Sequence, residues 1–108
     1  MRESYPPLSS QQFHILLSLV DENRHGYGII QHVAARAGVR LGTGALYTAI
    51  GRLSAAGWIR ETEQRDPDDS RRRYYTLTAV GRRALRAEIA RLEALLASAR
   101  HVGVRGRP

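Results

Sequence analysis

Residues 43–53 read Thr43-Gly44-Ala45-Leu46-Tyr47-Thr48-Ala49-Ile50-Gly51-Arg52-Leu53. Leu46, Ala49, Ile50 and Leu53 recur at intervals of three and four, which predicts a helix with one buried face. Thr43 is suited to cap it, and Ala55-Ala56-Gly57 ends it. The opposite face carries Thr43, Gly44, Tyr47, Thr48, Gly51 and Arg52. These are small, hydroxyl-bearing or cationic side chains, a composition that lets a helix settle into a groove and bond to its walls.

Working towards the N-terminus, Gly38 and Gly42 bracket a short joint, and Gly38 is the expected stop of a helix over about 27–37. Ile29, Ile30, Val33 and Ala34 lie on one side of that helix. Before it, Tyr5-Pro6-Pro7 reads as an extended lead-in. Ser9 or Ser10 then caps a first helix, with Phe13, Leu16, Leu17 and Val20 on its apolar face and Asp21-Glu22-Asn23-Arg24 ending it.

Towards the C-terminus, Trp58 and Ile59 open a strand running to about residue 65. Asp66-Pro67-Asp68-Asp69-Ser70 is a turn cluster, and 71–77 return as a second strand. Period-two alternation places Tyr75 and Leu77 on a buried face and Arg72, Tyr74 and Thr76 on the other. Thr78 caps a last helix over 79–100, in which Leu85, Ile89, Leu92 and Leu96 form a coiled-coil-like seam. At about 1.5 Å per residue such a helix is about 33 Å long, more than one small domain can cover. A second copy of the chain is the expected cover. The glycine- and arginine-rich tail over 101–108 is expected to be flexible.

Composition narrows the function classes. The chain has 108 residues, 17 Lys+Arg against 10 Asp+Glu, and a formal charge of +7, so a polyanionic partner is the first hypothesis. All the basic residues are arginine. Codon bias suffices to explain that, although arginine also suits bidentate phosphate and guanine contacts. Cysteine is absent, which excludes disulfides, a thiolate nucleophile and cysteine-ligated zinc. His14, His25, His32 and His101 show no helical metal-site spacing, and no serine sits in a nucleophile-elbow context. No enzyme activity, metal or cofactor is expected. No apolar run approaches a membrane span and residues 1–10 lack a signal-peptide hydrophobic region, so a cytoplasmic protein that does not enter the membrane is expected.

Three helices, two strands around a turn, and a further helix make the order of a winged helix-turn-helix. The expected fold class is therefore mainly α with a small β-hairpin. It comprises a winged helix-turn-helix DNA-binding domain over 1–77 and a C-terminal dimerisation helix over 78–100 packed on the same domain. Helix three would enter a major groove. Mid-helix Gly51 costs about 1 kcal/mol against alanine; it fits close approach to DNA, and equally relief of crowding within the protein. Arg71, Arg72 and Arg73 flank the wing tip, where phosphates would lie. Without that context they would read as charges protecting a strand edge. The acidic tip, Asp66, Asp68 and Asp69, speaks against deep insertion of the turn.

Three blocks resemble the PadR family of bacterial transcriptional regulators. They are His25-Gly26-Tyr27-Gly28-Ile29, then Leu46 to Leu53 with Gly57-Trp58-Ile59, and then Arg71-Arg72-Arg73-Tyr74-Tyr75-Thr76-Leu77-Thr78 leading into Gly81. The single C-terminal helix resembles the short subfamily. The resemblance implies a homodimer joined through the C-terminal helix, with the N-terminal helix also engaged, on a pseudo-palindromic double-stranded DNA operator. It implies a repressor released by a small-molecule effector, here unidentified. It also implies backbone contact by Tyr47, assisted by Arg71, Arg72 and Arg73. Arg52 matches the motif as well, although an arginine there can instead brace the fold. Two departures stand out. Residues 79–100 contain no aromatic side chain on which a planar drug could stack, and Ser54 replaces an acidic residue that could pair with Arg52. Two other readings stay open: a winged-helix protein-interaction module, and a DNA-binding module controlled by a macromolecular partner.

Overall fold

The computed structural model describes residues 5–103. Ser9 caps the first helix, α1 (Ser10–Ser18), through a reciprocal box. Its hydroxyl accepts from the Gln12 backbone N–H at 3.1 Å, and the Gln12 side chain accepts from the Ser9 N–H at 3.0 Å. A short strand, β1 (Arg24–His25), leads into α2 (Gly26–Ala37), which stops at Gly38 in the left-handed conformation with φ 66°. Next come α3 (Thr43–Ala55), β2 (Ile59–Glu61), β3 (Tyr74–Leu77) and α4 (Ala79–Val102). Thr78 caps α4 by accepting from the Gly81 N–H at 3.0 Å.

The sheet is antiparallel with order β1-β3-β2. It therefore has three strands where the sequence predicts two. Arg24 pairs with Tyr75 and His25 with Tyr74. A two-residue strand is too short to show alternation, so it reads locally as the polar end of helix one. The wing strands are also shorter than expected. Asp66 Oδ1 accepts from the Asp68 N–H and Asp69 Oδ1 from the Arg71 N–H, and these turns draw Arg71, Arg72 and Arg73 out of the strand. Two smaller corrections concern helix ends. Gly42, not Thr43, occupies the N-cap of α3, without a side-chain hydrogen bond, and α4 runs to Val102. Residues 104–108 of the expected flexible tail lie outside the described residues.

Ile15, Leu16, Ile29, Leu46, Leu53 and Ile59 are fully buried, so α1, α2, α3 and the sheet share one core. Tyr75 and Leu77 join it as the alternation predicts. Ala34, expected on the apolar side of α2, is exposed. A larger correction concerns the seam on α4. Leu85 is 4% exposed and belongs to this core, and Ile89 packs against its edge. The first half of α4 is spent inside the protomer. Leu92, Leu95 and Leu96 are the leucines left exposed on the second half.

Glu88 ties the N-terminal segment to α4. It is buried, accepts from the Leu8 N–H at 3.2 Å and pairs with Arg91, whose Nε donates at 3.1 Å. The Arg91 hydrogen bond, aided by the Leu8 N–H, holds the Glu88 carboxyl below the ordinary carboxylate range. A depressed folded-state pKa stabilises the fold above the unfolded-state value. That stability is lost as pH falls through the folded value. Wild type should therefore melt above Glu88→Gln at pH 7, and the gap should close below about pH 4. Thermal melts of both proteins across that range check it.

Candidate nucleic-acid interface

The side of α3 turned away from the core carries Thr43, Gly44, Tyr47, Thr48, Gly51 and Arg52, and all six are exposed. Burial of Leu46, Ala49, Ile50 and Leu53 sets this orientation. Tyr47 is 50% exposed and leans back over the start of α2. A Cβ on Gly26 would displace its hydroxyl. A Cβ on Gly51 or Gly44 would instead meet no atom within 4 Å. Internal crowding therefore does not explain Gly51.

The wing stands beside Tyr47. Arg71, Arg72 and Arg73 share with Tyr47, Tyr27 and Gly26 an open recess of about 410 Å³, into which His25 and Asp69 also face. Each of the three arginines has an acidic partner. Arg71 Nε donates to Asp69 at 3.3 Å, Arg72 Nη1 to Asp66 at 3.2 Å, and Arg73 Nη1 to Glu61 at 3.1 Å. The backbone N–H of Arg71, then its side chain, holds the Asp69 carboxyl below its ordinary value. The wing arginines are thus pre-positioned by acids that a stronger anion would have to displace. The exposed Arg71 and Arg73 pairs are of the kind that contribute about 0–1 kcal/mol each, so their exchange for phosphate costs little, whereas Asp66 is largely buried behind Arg72.

The structure divides the predicted site residues. Tyr47 meets the wing arginines, whereas Thr48 and Arg52 line a separate groove of about 220 Å³ against Gln11 and Gln12 of α1. Tyr47 and Arg52 differ by five residues, about 140° around the helix, so no single contact uses both. The Arg52 guanidinium makes no ion pair or hydrogen bond with another described residue.

Four recess residues, His25, Gly26, Tyr27 and Asp69, escaped the sequence-based site. His25 does not alternate or repeat with anything, and histidine is not a usual helix cap. Yet its Nδ1 accepts from the Gly28 N–H at 3.0 Å and caps α2. The His-Gly-Tyr-Gly motif was the available signal.

Residues 15–87 match the Transcriptional regulator PadR-like family. The chain belongs to that family. It is 38% identical over 84 residues to "Transcriptional regulator Rv3488" of Mycobacterium tuberculosis (strain ATCC 25618 / H37Rv), covering 78% of this chain and 77% of that one. It is also 38% identical over 77 residues to an uncharacterized 37.1 kDa protein in transposon TN4556 of Streptomyces fradiae. That match covers 71% of this chain, which spans only 21% of the Streptomyces protein's length. Among solved structures, a PadR family transcription regulator from Clostridium difficile R20291 superposes with a TM-score of 0.75 at 23% identity. It covers 87% of this chain and 98% of the other, which establishes the shared winged-helix fold. PadR-like proteins are transcriptional regulators and not enzymes. Among the described residues, no helix is long and apolar enough to cross a membrane.

Proposed function

We propose that this PadR-like chain is a cytoplasmic repressor that binds a pseudo-palindromic operator as a homodimer and is released by an effector. Two copies of α3 read successive major grooves through Thr43, Gly44, Thr48, Gly51 and Arg52. Tyr47, Arg71, Arg72 and Arg73 hold the flanking phosphates and fix the register of each head. The exposed second half of α4 joins the copies, so a change in its packing changes the spacing of the two heads. One observation carries this reading: Tyr47, on the exposed face of α3, also lines the arginine-rich recess of the wing.

The test is titration onto the protein's own upstream promoter DNA and onto a scrambled duplex, at two salt concentrations. Promoter-selective binding that weakens steeply with salt is expected, because phosphate contacts release counterions. Tyr47→Ala should weaken binding to the promoter about tenfold without unfolding the protein. Gly51→Ala should raise stability by about 0.5–1 kcal/mol and still weaken binding, since its new methyl meets DNA and not protein. Unchanged affinity in both variants would remove α3 from the interface. Salt-insensitive behaviour with no DNA binding would favour a protein-interaction module.

A further inference from the structure

His25 is caught between two donors. Its Nδ1 accepts from the Gly28 backbone N–H at 3.0 Å, while its Nε2 lies 3.0 Å from Arg72 Nη1. A guanidinium only donates, and a neutral imidazole has one acceptor nitrogen. An imidazolium has none. One of these two contacts therefore always lacks its hydrogen bond. The ring cannot turn away easily, because Tyr74 packs edge-on against it with centroids 5.1 Å apart. Asp66 accepts from the same Arg72 Nη1 at 3.2 Å and so anchors it beside the ring. Both His25 and Arg72 border the 410 Å³ recess that also receives Tyr47, Arg71 and Arg73.

An anion in the recess would satisfy Arg72, His25 and the α2 cap together. Arg72 would donate to it, Nδ1 would keep the cap of α2, and the proton on Nε2 would point at an acceptor instead of a donor. We propose that His25 and Arg72 form a latch for one DNA phosphodiester, in which the phosphate replaces His25 as partner of Arg72 and accepts a hydrogen bond from His25 Nε2–H. The latch rests on the DNA-binding reading above and adds a contact from the start of α2 to those of α3 and the wing. His25 suits this role as a neutral donor. Burial first, and then the Arg72 charge, push its pKa below the ordinary histidine value against the opposing pull of Asp66. Arg24, the other cation beside it in β1, is already paired with Asp21 and Glu22.

The test compares wild type, His25→Asn and Arg72→Gln on the promoter duplex by fluorescence anisotropy across a salt series. Asparagine caps helices well, so His25→Asn should melt like wild type. It should bind DNA about tenfold more weakly, the loss expected for one hydrogen bond to a charged group. Its salt slope should match wild type, because a neutral donor releases no counterion. Arg72→Gln should lower that slope by about one. Nitrogen-15 NMR of the wild-type imidazole reports the ring directly, whatever the variants do. At saturating DNA, the proton should reside on Nε2 and Nδ1 should be bare. Equal affinity of wild type and a folded His25→Asn, or a bound ring protonated on Nδ1, would overturn the latch alone. Failure of the wild-type protein to bind DNA at low salt would overturn the DNA-binding reading and the latch together.

Discussion

Replacing Gly81 with alanine is expected to remove a large fraction of the protein's stability. The first turn of α4 lies directly on the corner between α3 and β2. There the Thr78 N–H donates to the Trp58 carbonyl at 3.0 Å and the Thr78 hydroxyl to the Gly57 carbonyl at 2.6 Å. A Cβ on Gly81 would strike the Trp58 carbonyl oxygen, which is main chain and cannot rotate aside. It would also press on the Leu77 side chain. Overpacking of a well-filled site costs about 1–3 kcal/mol, and collision with fixed backbone puts this variant at or above the upper end. A domain of this size holds only about 5–15 kcal/mol in total. Urea unfolding followed by the fluorescence of Trp58, the chain's sole tryptophan, measures the loss. A wild-type midpoint would mean that the corner yields without cost. Gly44→Ala is the control, because its Cβ meets open space.

Placing aspartate at Leu92 is expected to separate the two copies proposed above. Leu92 and Leu96 are each 38% exposed and Leu95 is 55% exposed, on a helix that continues to Val102. Leu92 also borders a small cavity of about 240 Å³ formed with Leu8, Phe13 and the Glu88–Arg91 pair. In a dimer joined here, Leu92 sits between the body of its own protomer and the partner. A carboxylate there must be buried without a counter-charge or keep the partner away. A central interface residue of this kind is worth about 2–4 kcal/mol, roughly a 30- to 1,000-fold weakening of association. Sedimentation velocity across a concentration series reads the change. Leu85→Asp is the wrong probe, since Leu85 is core and its loss would unfold the protomer. A Leu92→Asp protein that sediments as wild-type dimer would place the dimer surface elsewhere.

Most of the helical framework was legible because helix signals are local. The three-four spacing of Leu46, Ala49, Ile50 and Leu53 fixed which face of α3 is buried, and so which face is free. Ser9, Thr78 and Gly38 announced helix ends through their own side-chain or backbone chemistry. Alternation at Tyr75 and Leu77 named the inner face of β3. Family membership was legible too, in three short blocks that survive as blocks whatever their packing.

Other features depend on partners distant in the chain, and no local pattern encodes them. Leu85 and Leu92 stand in the same periodic row, yet one is core and the other surface. Only the docking of α4 on α1 determines where the body of the domain stops covering that row. Arg24 and His25 become a strand because β3 offers an unpaired edge 49 or more residues away. His25 becomes a cap and a neighbour of Arg72 through the same pairing. Arg71, Arg72 and Arg73 read as three free cations along the chain, but the turn at Asp66 and Asp69 and the register with Glu61 give each an acid. Sequence alone determined which residues could face core or solvent, because periodicity and capping act within a few residues. The tertiary structure decided which of them meet, because burial, pairing and charge neutralisation are set by whatever the fold brings alongside.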